Sequence, residues 1–345
     1  MAHPKRKHRT NATGKERDWG SGARTRQSAR RIGPTLEVRW SGFRAFHDAS
    51  GAAFRRFYRL ETLAAAIEQG LYTKERIIVP AAQDTLGPSP LASLLFELCQ
   101  EDNCAFVFRV RAGNARRKRA SLRLVVAKNH QELSTHVAAE YRGLSGIYGR
   151  APRFVIKPLG IGRIRLPDVR RSKGQDRKLS AYVTEWAGGY HALGVGKTRQ
   201  LVLGVERPRL LSNAQAEDVK AHILEIMARS YDAGSGEYMG VPDIGGGAVH
   251  AAVPKRGAVK IKLMTCGPMK RYRGPAGFVH TLVAATYNVG RHKLPMAPTE
   301  PSRIIQALAK ARGEQEASRW LDQYVKAVRR GSLPESELAD HVSES

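Results

Sequence analysis

Residues 122–140 read LRLVVAKNHQELSTHVAAE, and the reading of this stretch decides the fold. Ser121 to Ala127 is a run of apolar and β-branched residues of strand length, which predicts a short buried strand with Lys128 at its end. The segment after it spaces Leu133, Val137, Tyr141 and Leu144 along one face of an α-helix. Glu140 falls between Val137 and Leu144 on that inward face. An ionised carboxylate there is costly unless it is paired. Lys128, one strand-to-helix connection away, is the expected cation. The plainer readings are a structural ion pair, or a helix rotated enough to put Glu140 in water.

A strand lysine paired to a helix glutamate is also how protein kinases hold the phosphates of ATP, and this segment resembles the small lobe of a protein-kinase-like fold. Val125-Val126-Ala127-Lys128 is similar to the family's V-A-I-K strand, and Glu140 to its helix glutamate. Arg153 to Leu159 and Leu179 to Trp186 resemble the two strands that lead to the hinge, with Thr184-Glu185-Trp186-Ala187 at the hinge itself. The resemblance implies an α+β, two-lobed fold: a small antiparallel-sheet lobe with one helix, residues 101–190, and a larger, mainly helical lobe, residues 191–332. It implies a nucleotide site, ATP with magnesium, formed by Lys128, Glu140, Glu185, Ala187 and Thr265.

The acids of that chemistry are where the resemblance thins. After Val241-Pro242-Asp243-Ile244-Gly245-Gly246-Gly247 come two short predicted strands, Ala248 to Val253 and Ala258 to Met264, and then Thr265-Cys266-Gly267. Kinases place a catalytic aspartate before such a hairpin and the magnesium-binding D-F-G after it. Here the D-F-G position reads Thr265-Cys266-Gly267, and the catalytic position falls near Gly247, with Asp243 the nearest acid. Magnesium needs hard oxygen ligands, as a rule one or two carboxylates. No G-x-G-x-x-G covers the phosphates, because the link from Arg111 to Ala120 offers only Gly113. The expectation is a degenerate, pseudokinase-like chain; the alternative is an active phosphotransferase with rearranged acids and Asp243 as its base. Gly194-Val195-Gly196-Lys197-Thr198 is not a P-loop, since the required first glycine is His191.

Charge points to the partner. The chain has 345 residues with 58 Lys and Arg against 31 Asp and Glu, a net charge of +27 and a pI near 10.5. A single-signed excess of this size attracts polyanions through counterion release. RNA is the favoured partner, ahead of DNA, either as a binding or scaffold module on a ribonucleoprotein or as a structural part of a nucleoprotein particle. The candidate contacts are Lys5, Arg6, Lys7 and Arg9 in a basic, disordered arm over residues 1–33, the tip formed by Arg116, Arg117, Lys118 and Arg119, and Arg170 and Arg171 in a second basic loop.

The three cysteines, Cys99, Cys104 and Cys266, form no CxxC pair and no even framework, so a reducing, cytoplasmic setting is expected and no metal site is read. No run approaches the roughly 18 apolar residues of a membrane helix, so no membrane partner is expected. Residues 34–100 read as a small α/β extension, with a strand at Leu36 to Trp40, a hairpin partner at Phe54 to Tyr58, a helix at Glu61 to Gln69, a strand at Arg76 to Pro80 and a helix at Pro90 to Leu98. Ser212-Asn213-Ala214-Gln215 is a capping box opening a helix to Ser230. Pro275 to Tyr287, Pro301 to Arg312 and Glu314 to Arg330 read as further helices, and the acidic tail, residues 333–345, as frayed.

Overall fold

Parity along one strand sets the layout. In Arg119–Ala127, Leu122, Leu124 and Val126 belong to one apolar cluster while Val125 and Ala127 belong to another, as the two-residue period requires of a strand covered on both faces. The computed structural model describes residues 29–32, 36–41, 60–73, 76–101, 104–116, 118–128, 132–166, 177–196, 199–204, 208–244, 247–254, 258–267, 269–271, 274–289 and 292–344. Ala29–Ile32 (β1), Leu36–Ser41 (β2), Leu91–Glu101 (β3), Ala105–Asn114 (β4), Arg119–Ala127 (β5), Pro158–Leu166 (β6) and Arg177–Glu185 (β7) form a seven-stranded sheet ordered β1-β2-β3-β4-β5-β7-β6. Its pairs are antiparallel except β2 with β3, which run parallel.

Two helices, Leu60–Gly70 (α1) and Ile78–Leu86 (α2), cover one face through Leu63, Ile67, Ile78 and Ala82, packed with Leu94, Phe108 and Leu124. On the other face Glu132–Arg150 (α3) lays Val137, Leu144 and Ile147 against Val107, Val125 and Tyr182. Gly143 lets α3 pass close to Cys266: a β carbon on it would stand 3.0 Å from the Cys266 Sγ, a tight contact.

The rest of the chain builds on the α3 side. His191–Val195 (β8), Leu201–Leu203 (β9), Arg209–Leu210 (β10), Val249–Ala252 (β12) and Lys260–Leu263 (β13) make a five-stranded sheet ordered β10-β9-β8-β12-β13. Glu237–Met239 (β11) pairs with Met269–Arg271 (β14). The helices are Asn213–Ser230 (α4), Pro275–Val283 (α5), Pro301–Arg312 (α6), Glu314–Arg329 (α7) and Glu337–Glu344 (α8). Helix α4 starts on the expected capping box: Ser212 Oγ accepts the Gln215 N–H, and the Gln215 side chain accepts the Ser212 N–H. The chain is thus α+β, and among the described residues no helix is long and apolar enough to cross a membrane.

Several local expectations are corrected. Pro90 to Leu98 is not helical. Leu91, Leu94, Leu95 and Leu98 suit a helix and Leu94, Phe96 and Leu98 suit a strand, and two open strand edges, those of β2 and β4, settle the matter in favour of β3. Arg76 to Pro80 is not a strand: the chain enters α2 at Ile78, burying Ile78, Ala81, Ala82 and Leu86 on one stripe, with Pro80 in the first turn, where its missing N–H costs nothing. Within residues 34–100, β2 and β3 belong to the main sheet, and Ala29–Ile32 of the expected disordered arm pairs with β2. Phe54 to Tyr58 lies outside the described residues.

Towards the C-terminus, the helix expected to reach Tyr287 stops at Val283, where Thr286–Val289 (β15) begins and pairs with His292–Pro295 (β16). The tail expected to fray is helical over Glu337–Glu344 and buries Leu338 and Ala339.

Candidate functional site

On β5 the residue two before Val125 is Arg123, so strand alternation turns its side chain to the α3 face, where it is 5% exposed. A guanidinium has five N–H donors and no acceptor, and burying it is costly unless they are engaged. Arg123 Nη1 donates to Tyr182 Oη at 3.1 Å and to the Met264 carbonyl at 3.2 Å. Tyr182, on β7 and fully buried, donates in turn to Glu140 Oε1 at 2.5 Å. Burial holds the Tyr182 phenol well above its ordinary value; the Arg123 charge opposes this and the Glu140 charge adds to it. The hydroxyl therefore stays protonated and donates to the carboxylate.

This chain of bonds runs from α3 through two strands of the main sheet to Met264, just past β13. It spans the junction where Ile156 N–H donates to the Leu263 carbonyl (3.1 Å) and Leu263 N–H to the Phe154 carbonyl (2.7 Å). Arg123, which the sequence reading did not single out, supplies the cation of this chain of bonds. Lys128 has its ammonium 5.1 Å from the ring centroid of Phe106, a residue of the cluster under α1 and α2. The alternation that predicted the strand also contained this signal, because Arg123, Val125 and Ala127 are the residues that point towards α3.

The other expected nucleotide residues gather nearby. Glu185 Oε1 accepts the Lys157 N–H at 3.1 Å and Lys262 Nζ at 3.4 Å. Trp186 N–H donates to the Ser121 carbonyl at 3.2 Å, and Ala187 packs half-buried on the core. Thr265 N–H reaches the Ala248 carbonyl at 3.4 Å, and Ala248 N–H the Asp243 carbonyl at 3.0 Å; Asp243 itself is exposed. Burial, then the nearby Glu140 charge, push the Cys266 thiol up to about 12, so it is an inert apolar group at neutral pH. Among the described residues no group of three or more His, Cys, Asp or Glu could hold a metal ion.

His250, on β12 opposite Lys262, is held down at about 4 by burial, then by the charges of Arg123 and His191. Its folded value lies below the ordinary 6.5, so the unfolded chain takes up the proton first. Stability that is whole above pH 6.5 is therefore lost as the pH falls towards 4. Thermal melts across this window should show the loss, and His250→Asn should flatten it; an imidazole that titrates near 6.5 by NMR would contradict the assignment.

Of the expected nucleic-acid contacts, Arg116, Lys118 and Arg119 are exposed at the turn between β4 and β5. Asn114, which is buried, supports the turn: its Oδ1 accepts the Lys118 N–H at 3.0 Å. Lys5, Arg6, Lys7, Arg9, Arg117, Arg170 and Arg171 lie outside the described residues. No protein-family model matches the chain, and no curated protein sequence matches it significantly.

Proposed function

We propose that this chain is a catalytically degenerate, protein-kinase-like module that binds RNA or a ribonucleoprotein. Support for the kinase-like part comes from the antiparallel run β3-β4-β5-β7-β6 with the single helix α3 between β5 and β6. A second support is register: Asp243 stands five residues before Ala248, the spacing of D-x-x-x-x-N in the kinase catalytic loop, and the hairpin β12–β13 then leads to Thr265-Cys266-Gly267.

One observation carries the loss of catalysis. With Asp243 taken as the catalytic aspartate, the two positions at which a kinase holds magnesium, an Asn and an Asp, fall at Ala248 and Thr265, whose backbones meet at a hydrogen bond of 3.4 Å. A methyl and a hydroxyl replace the amide and the carboxylate, and neither supplies the charge that a magnesium ion requires. The RNA part rests on the net charge of +27 and on the exposed cations of the β4–β5 turn.

Calorimetry with ATP and magnesium should give no binding heat. RNA affinity should fall steeply and linearly on a log–log plot against salt. An RNA affinity indifferent to salt would remove the RNA half of the reading. The exposed Asp243, in register with a catalytic base, favours the second reading, an active phosphotransferase. Magnesium-dependent ATP turnover that Asp243→Asn abolishes would establish that reading in place of the first.

A further inference from the structure

We propose that the uncovered part of the main sheet, on its α3 side, is a groove for an extended single strand of RNA. The proposal rests on the RNA-binding reading above and gives it a location. Among the described residues, helix α3 covers the end of this face around Val107, Val125 and Tyr182. Beyond it, β2 to β5 line a concavity of about 530 Å³. Among the described residues its charged lining is four arginines, Arg39, Arg109, Arg111 and Arg119, against Glu37.

One of these arginines, Arg109, is placed against the ordinary rules of a sheet, while Arg39 is ion-paired to Glu37 at 2.6 Å. Arg109 lies directly across from Arg123 in the β4–β5 ladder, and like charges in that relation are destabilising. Arg109 Nε is buried with no hydrogen-bond partner, and its Nη2 meets Ser121 Oγ only at 3.4 Å. Its guanidinium is instead held 4.9 Å from the ring centroid of Trp186. Arg111, paired to Glu97 at 2.9 Å, keeps half of its side chain exposed. A bound anion would relieve this crowding of positive charge.

The geometry selects the occupant. Arg109 and Arg111 are about 6.8 Å apart along β4, two residues at the antiparallel rise, a repeat that an extended backbone can follow phosphate by phosphate. The track continues past Arg119 to Arg116 and Lys118 at the tip of the same hairpin. A concavity of this size does not admit a duplex. The arginine planes offer stacking surfaces for unpaired bases. The hydroxyls of Ser93 and Ser121 in the lining suit the ribose 2′-OH.

The test uses the intact chain and a fluorescent oligouridine. Arg109→Ala/Arg111→Ala/Arg119→Ala should bind at least tenfold more weakly at physiological salt. Its log affinity should depend less on log salt, by a slope of about 2 for three lost phosphate contacts. Arg319→Ala/Arg329→Ala/Arg330→Ala removes the same charge from exposed positions on and just after α7 and should bind within about twofold of the unaltered chain. Equal loss in both triple variants, or none in the groove variant, overturns the groove while leaving RNA binding intact. An unaltered chain that binds no oligouridine at low salt overturns the broader reading as well. Photocrosslinking of 4-thiouridine RNA to the unaltered chain provides a check that does not depend on how a variant folds. Crosslinks are expected in residues 91–123 or at Trp186, and crosslinks confined to other segments overturn the groove.

Discussion

Arg123→Met is expected to lower stability at pH 7 by about 3 kcal/mol, the scale of breaking a buried charged interaction. The substitution keeps the apolar stem and removes the donors that hold Tyr182 Oη and the Met264 carbonyl. It also removes the positive charge that lies beyond the phenol bonded to the Glu140 carboxylate. Urea unfolding measures the loss. A double-mutant cycle with Tyr182→Phe should show the two effects to be strongly non-additive, because one hydroxyl serves both bonds. A loss under about 1 kcal/mol, or simple additivity, would mean that the guanidinium is held by something other than this chain of bonds.

Glu225→Gln is expected to have an effect of similar size, about 3 kcal/mol at pH 7. Glu225 lies on α4 and is 1% exposed. It accepts Arg153 Nη2 at 2.8 Å and Arg229 Nε and Nη2 at 3.0 and 2.8 Å. Burial alone would raise its carboxyl. The hydrogen bonds of His222 and Arg229, with the charges of Arg153 and Arg229, outweigh that and leave the carboxyl below its ordinary value. The stabilisation is therefore complete above the unfolded value of 4.5 and lost as the pH falls through the lower folded one. Urea melts at pH 7 should separate wild type from Glu225→Gln widely, and the gap should narrow in acid. The acid loss begins where the His250 loss, between pH 6.5 and 4, is nearly over, so the two substitutions should flatten different parts of one pH profile. A gap that stayed constant down to pH 3 would show that Glu225 acts through packing rather than charge.

Elements whose period admitted one solution were legible in the chain. Ser121 to Ala127, the amphipathic stripe of α3, the Ser212 capping box and the two helices after Pro301 lie where spacing and end signals place them. Misreadings fell where two periods fitted, as in Leu91 to Leu98, or where β-branched residues such as Ile77 and Val79 outweighed a helical stripe. The same holds at the site. Glu140 lies on the inward face of its helix, where spacing puts it, while Arg123 was not singled out although the alternation of its strand turns it to the same side.

Sequence alone determined the α+β character and the excess of positive charge, because composition and local period need no partner to be read. Tertiary structure alone decided that Arg123 is the cation on the Tyr182 hydroxyl and that four arginines share one open face. Strand order and register bring residues from β2, β3, β4 and β5 onto a common surface, and no single segment encodes which strand will lie beside it.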